Sequence, residues 1–233
     1  MMKRPPAANL VAKLVLGCVL AAPWMAQAAN DFSVAEQALF MNNQLGGLKP
    51  PLTLRYEYRK TGTLEEPFED KVDLFLTAQN DGSCCAVRSQ FFTGARAMTQ
   101  PEVESAQGNP AILYFLERDI REMQRLTKGQ PNYFRKRIRM AVYEGATLRN
   151  VSLPYRGKPV AVREFTIAPY VDDPMRTRYE KLANKTYTFL LSDAVPGGLY
   201  GIRTRINAEP GGMEPLMREE MLIQGADPAA LAR

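Results

Sequence analysis

The clearest pattern in the chain starts at residue 52. From Leu52 to Lys60, apolar and polar positions alternate: Leu52, Leu54, Tyr56 and Tyr58 face one side, and Thr53, Arg55, Glu57 and Arg59 the other. A period of two marks a strand with one buried face. Residues 61–69 read as a loop. Lys71 to Ala78 alternates again through Val72, Leu74 and Leu76, and Asn80-Asp81-Gly82-Ser83 is a turn signal. Cys84 to Thr93 follows as a third strand, with Val87 and Phe91 on one face. The three predict an antiparallel meander.

Helical signals lie before and after it. Ser33-Val34-Ala35-Glu36 is a capping box ahead of Val34, Ala38, Met41 and Leu45, and Gly46-Gly47 closes this N-terminal helix within residues 29–47. Asn109-Pro110 sets an N-cap and a proline at the first helical position. That helix runs to about Lys128 and stops at Gly129; Pro131-Asn132 starts another that ends near Gly145. Ala146 to Tyr155 and Pro159 to Ala168 flank Arg156-Gly157-Lys158 as a hairpin. Asp173-Pro174 opens a short helix to about Ala183. Thr186 to Leu191, Leu199 to Asn207 and Leu216 to Gln224 are the last strands, with Val195-Pro196-Gly197-Gly198 as a turn between the first two. The helices cluster in mid-chain instead of alternating with strands, which argues against a doubly wound parallel sheet. The expected class is α+β: one large, curved, half-barrel-like antiparallel sheet of about eight strands. Its apolar concave face needs a cover, and the central helices supply it. Residues 48–224 are expected to form this single domain, with 225–233 as a frayed tail.

An exported chain with this order of elements resembles the LolA/LolB-type half-barrels of the bacterial periplasm. The resemblance is architectural and covers residues 48–224. The Val195-Pro196-Gly197-Gly198-Leu199 turn before a late strand is similar to turns in such proteins. The resemblance implies a hydrophobic ligand or lipoprotein carried between an open barrel and a helical lid. It assigns no residue a role.

Export is read from the first residues. Lys3 and Arg4 precede a short apolar run from Leu14 to Ala22, and Ala26-Gln27-Ala28 is a cleavage site. Residues 1–28 are therefore expected to leave as a signal peptide, placing the protein in the periplasm. Val15-Leu16-Gly17-Cys18 resembles a lipoprotein box, but the apolar stretch before Cys18 is short and Lys13 interrupts it, so cleavage near Ala28 is expected instead. No later run is long enough to span a membrane, which takes about 20 apolar residues.

Cleavage changes the charge argument. The whole chain carries 30 basic and 25 acidic residues, a net +5. Lys3, Arg4 and Lys13 leave with the signal, so 27 basic face 25 acidic residues, a net +2. That balance gives no case for nucleic acid. Histidine is absent from the chain, which removes the commonest general base and metal ligand. Of three cysteines, Cys84 and Cys85 survive cleavage. They read as two thiols facing opposite ways at the start of a strand, or as a disulfide. No cofactor or metal is expected.

The helix from Pro110 carries the main candidate. On a wheel with Leu116 at the centre, Ile112, Leu113, Ile120 and Met123 form the apolar stripe. Glu117, Arg118, Arg121, Glu122, Arg125 and Lys128 fall on the opposite side, as a solvated face. Asp119 falls on the apolar side, where a carboxylate is costly unless paired. It is expected to form a structural ion pair, to cap the next helix, or to anchor a ligand at a cavity floor, with an arginine from Arg135 to Arg139 as partner. Leu54, Tyr56, Tyr58, Leu74, Leu76 and Phe91 are the cavity candidates, and would serve equally as dry core. Arg135, Lys136, Arg137 and Arg139 form a basic helix surface suited to anionic headgroups or an acidic partner. Asp173 of the pair Asp172-Asp173 is placed as a helix cap, so the pair is weak evidence for glycoside hydrolysis. The expected function is a soluble, non-enzymatic periplasmic protein that carries a lipid or acyl chain. The alternatives are an envelope scaffold that docks on another envelope protein and a histidine-free hydrolase.

Overall fold

The computed structural model describes residues 32–79, 81–82, 84–208 and 211–231, together with Met1. The expected signal peptide, with Cys18 and Trp24, lies outside the described residues. The chain divides into two compact units, residues 1–31 and 32–233, and the fold is that of the second.

Eight strands form one antiparallel sheet in the order β3-β2-β1-β8-β7-β6-β5-β4. They are β1 (Leu52–Thr61), β2 (Phe68–Ala78), β3 (Cys84–Phe91), β4 (Thr147–Tyr155), β5 (Lys158–Ile167), β6 (Thr186–Leu191), β7 (Leu199–Ile206) and β8 (Met217–Ile223). Every neighbour pair except one joins strands that are consecutive in the chain, and residues 168–185, between β5 and β6, are the longest of these connections. The exception is β1 with β8, where Tyr56 faces Ile223 and Tyr58 faces Met221. That pairing seals the first meander to the second; β3 and β4 are the edge strands, and the chain after β3 bridges back onto it at Val87–Val103 and Phe91–Met98. The class is α+β, and the sheet is not a closed barrel.

The chain must travel from edge strand β3 to the opposite edge strand β4. The helices α2 (Pro110–Thr127) and α3 (Pro131–Glu144) lie on that crossing. Large side chains of the sheet and helices meet in one core: Tyr56, Val72, Phe91, Phe115, Phe134, Phe165, Phe189 and Ile202 are all at most 1% exposed.

Asn109 fixes the start of α2. Its Oδ1 accepts from Ala111 N at 3.1 Å, and its Nδ2 donates to Tyr56 Oη and to Gly197 O, both at 2.8 Å. Gly197 reaches this spot with φ +73°, and a Cβ there would stand 2.5 Å from Leu54 Cδ1. Glycine is required on both counts.

Four expectations need correction. The N-terminal helix comprises α1 (Val34–Glu36) and a π-helical continuation, Gln37–Met41, so Leu45 lies beyond it. Asn42 turns extended there and ends the helix. β2 starts at Phe68 because Phe68 pairs with Lys60 across the meander, which takes two residues from the expected loop. The helix after Asp173 is two short 3₁₀ turns, Arg176–Arg178 and Glu180–Asn184, separated where Tyr179 precedes a left-handed Glu180. The tail is tied at its start, where Ala226 bridges Tyr155 and Arg156 N donates to Gly225 O at 2.7 Å. Among the described residues no helix is long and apolar enough to cross a membrane.

Candidate functional site

Asp119 is fully buried, as its place on the helix wheel implied. Its partner is not an arginine of α3. Lys185, also fully buried, donates to Asp119 Oδ1, and Tyr187 Oη donates to Oδ2 at 2.6 Å. Lys185 immediately precedes β6, so its side chain enters the concavity from the sheet side. Two α3 arginines are committed elsewhere. Arg135 forks onto Glu117 at 2.6 and 2.7 Å, and Arg137 lies 3.0 Å from Asp173.

The Asp119 pair is one end of a longer ionic chain. Lys185 also lies 3.5 Å from Glu219 of β8. Glu219 is fully buried and accepts from Tyr58 Oη at 2.6 Å, from Thr204 Oγ1 at 2.7 Å and from Arg118. Arg118 lies 3.0 Å from Glu122, Glu122 accepts from Lys60, and Lys60 also donates to Glu65. Arg125 reaches Glu65 at the surface. Four carboxylates and four cations therefore alternate from the protein surface to its centre: Arg125, Glu65, Lys60, Glu122, Arg118, Glu219, Lys185, Asp119.

Alternation is what makes the burial tolerable. Each charge between the two ends of the chain has an opposite one on both sides, and Asp119 at the inner end has Lys185 and the Tyr187 hydroxyl, which offsets the several kcal/mol that burying an ion costs. The proton affinities reflect it. Burial works against ionised Glu219, but Arg118 and Lys185 hold its carboxyl well below the usual range. Burial likewise opposes charge on Lys185, and Asp119 with Glu219 raise it regardless. Glu122 goes the other way: burial and the neighbouring Glu219 push it up to about 7. Burial also acts on Glu65, but bonds from Lys60 and Arg125 contribute to a net fall to about 2.

Asp119, Glu122 and Glu219 also offer three oxygens within 4.8 Å of one another. Each of those carboxylates already holds a lysine or arginine. The set is a neutralised salt-bridge chain and not a donor set awaiting a cation. A carboxylate pair for hydrolysis fares no better. Lys60 sits between Glu65 and Glu122 and donates to both. Asp173 accepts from Tyr133 Oη and from Met175 N, both at 2.7 Å, while Asp172 is exposed.

The wheel misplaced three side chains of α2. Arg118 and Glu122, expected in solvent, are 8% and 7% exposed, whereas Leu113, expected inside, is 54% exposed. The wheel assumes a single packing surface. α2 is instead enclosed by the sheet on one flank and by Glu65 and Phe92 on another.

The six cavity candidates are packed. Leu54, Tyr56, Tyr58, Leu74, Leu76 and Phe91 are 0–2% exposed and belong to the core cluster. Two open clefts flank α2 instead. The first, about 500 Å³, is apolar: Leu113, Leu116 and Ile120 of α2 face Phe40, Met41 and Ile138, with Arg135 and Arg139 at its margin. Phe32 and Met41 there are about half exposed. The second, about 850 Å³, is lined by Lys60, Arg96, Arg118, Arg121, Glu122 and Arg125 among others, over Phe68 and Phe92. It contains no hydroxyl or thiol among its lining residues.

Arg135, Lys136 and Arg139 are exposed on α3, and Arg137 is half-buried. Cys84 and Cys85 do not face opposite ways: their sulfurs are brought together at the start of β3, with Cys85 buried.

Lys60, Lys185 and Glu219 were not read as site residues. Their signal was present in the period of two. Counting inward positions past Tyr58 reaches Lys60, and Glu219 stands between inward Met217 and Met221.

No protein family matches the chain, and no curated protein matches it. Among solved structures, lipoprotein LppX of Mycobacterium tuberculosis aligns at 10% identity over 83% of this chain and 93% of that chain, with a TM-score of 0.33. No inference rests on so slight a likeness.

Proposed function

We propose that this chain is an exported, non-enzymatic binding protein that seats an acyl chain of an anionic amphiphile beside α2. The observation that supports this is the apolar cleft. It pairs Leu113, Leu116 and Ile120 with Phe40, Met41 and Ile138; Glu36, Glu117, Arg135 and Arg139 also line it, and since Arg135 holds Glu117, Arg139 is the cation offered to an anionic head. Its size of about 500 Å³ falls in the ordinary range for small-ligand sites, about 300–1,000 Å³. Exposed Phe32, Met41 and Leu113 cost solvation in the free protein and would be covered by a bound chain. The site is thus moved from the concave face of the sheet, where the side chains are packed, to the helical side. Native mass spectrometry after adding palmitate tests this. A one-to-one adduct that disappears in Leu113→Glu is expected. Absence of any adduct with palmitate or phosphatidylglycerol, and of any co-purifying lipid, would remove the proposal.

A second reading, docking on another envelope protein, draws on the filled sheet interior. A solid core beside an open apolar cleft suits a protein surface as well as a lipid. Crosslinking in cells that captures one partner through Leu113, with no lipid adduct in the purified protein, would favour it.

A further inference from the structure

The polar cleft on α2 supports a separate site. We propose that it binds a phosphate group. Cations converge on it from three elements: Lys60 near the end of β1, Arg96 from the turn after β3, and Arg118, Arg121 and Arg125 from α2. Phe68 and Phe92 contribute aromatic surface to the lining.

The charges do not balance there. The carboxylates of the cleft are Glu65, Glu66 and Glu122, three against five cations. Arg118 also serves Glu219, outside the cleft. One positive charge is still left over. It belongs to Arg96 and Arg121, which stand outside the alternating ionic chain. Among the described residues no carboxylate lies within ion-pair distance of either; Glu117 feels the charge of Arg121 but is held by Arg135. The Arg96 guanidinium rests over the Phe68 ring at 4.5 Å, which orients its plane and leaves its N–H edge for a ligand. Arg121 is exposed.

The ligand class follows from the directions of approach. A planar carboxylate is satisfied by one arginine fork. A tetrahedral phosphate presents oxygens on several sides, and side chains arriving from separate elements match that shape. The phosphate can belong to a soluble phosphoester or to an anionic phospholipid headgroup. The site uses α2 residues other than those of the apolar cleft and stands without it.

The test is calorimetric titration of the folded chain with inorganic phosphate, alongside flotation with phosphatidylcholine vesicles with and without phosphatidylglycerol. Saturable binding in either arm is expected. The double substitution Arg96→Gln/Arg121→Gln removes two exposed arginines, so circular dichroism should be unchanged. It should weaken binding about tenfold or more, the effect of losing charge-assisted hydrogen bonds. Arg149→Gln/Arg205→Gln, on exposed strand positions outside the cleft, should leave binding intact. Phosphate binding alone assigns a soluble ligand, and phosphatidylglycerol-dependent flotation alone assigns a headgroup. No binding in either arm, or equal weakening in both double variants, overturns the site.

Discussion

Replacing Lys185 by methionine tests the buried ionic chain at its most enclosed point. Lys185, Asp119 and Glu219 are each 0% exposed. Methionine fills a similar volume, so the main change is electrostatic. Asp119 keeps its bond from Tyr187 but loses its only cation among the described residues. Glu219 is less affected, because Arg118, Tyr58 and Thr204 still donate to it. Breaking a buried pair by removing one partner costs about 3–5 kcal/mol. For a domain of this size each kcal/mol moves the midpoint by about 2–4 °C, so thermal unfolding should fall by about 6–20 °C. Urea denaturation followed by circular dichroism gives the free energy directly. The double variant Lys185→Met/Asp119→Asn removes the orphaned charge while keeping an acceptor for Tyr187. It should lose clearly less than the sum of the two single variants, with a coupling of about 0.5–3 kcal/mol. A Lys185→Met loss under about 1 kcal/mol, with additive single effects, would refute the claim that the pair is a desolvated ion pair.

Three further outcomes are expected. Stability should rise from about pH 2 to 4.5, because Glu65, and with it Glu219 and Glu117, are held low in the folded state and the unfolded chain binds more protons there. Glu122 has the opposite sign: raised to about 7, it makes the folded state hold the extra proton, so its contribution falls between 4.5 and 7. Glu122→Gln should flatten that upper limb in denaturation series across pH, and an unchanged limb would show that Glu122 is not its source. Asn109→Ala should cost about 2–4 kcal/mol in urea denaturation, from a lost cap and two lost buried hydrogen bonds; a loss below about 1 kcal/mol would mean that α2 is not pinned there. The purified exported protein should show tyrosine emission without tryptophan emission, because Trp24, the one tryptophan, lies before Ala28; tryptophan emission would place cleavage elsewhere.

Much of the architecture was legible because strands and helices are local. The alternation of β1 through Leu54, Tyr56 and Tyr58 predicted an inward face, and those residues are buried. Asn109-Pro110 announced α2 at its first residue. The short helix after Asp173 was misread because a cap and a proline fit a 3₁₀ turn as well as an α-helix. The candidate site was legible only in part. Asp119 stood out as a carboxylate on an apolar stripe, but the same logic was not carried to Lys60 and Glu219 on the strands.

By itself, then, the sequence determined the eight strands, the two central helices, the α+β class and the apolar-side placing of Asp119, since all of these follow from periodicity and caps over a few residues. The tertiary structure decided who meets whom. β1 pairs with β8 across some 160 residues, and Lys185 finds Asp119 across 66. Only the pairing of β1 with β8 carries Glu219 to Tyr58, and only the enclosure of α2 from two flanks buries Arg118 and Glu122 while leaving Leu113 outside. Periodicity gives a side chain's direction from its own backbone. It says nothing about which distant charge waits there, and that charge determines whether a buried ion is tolerable.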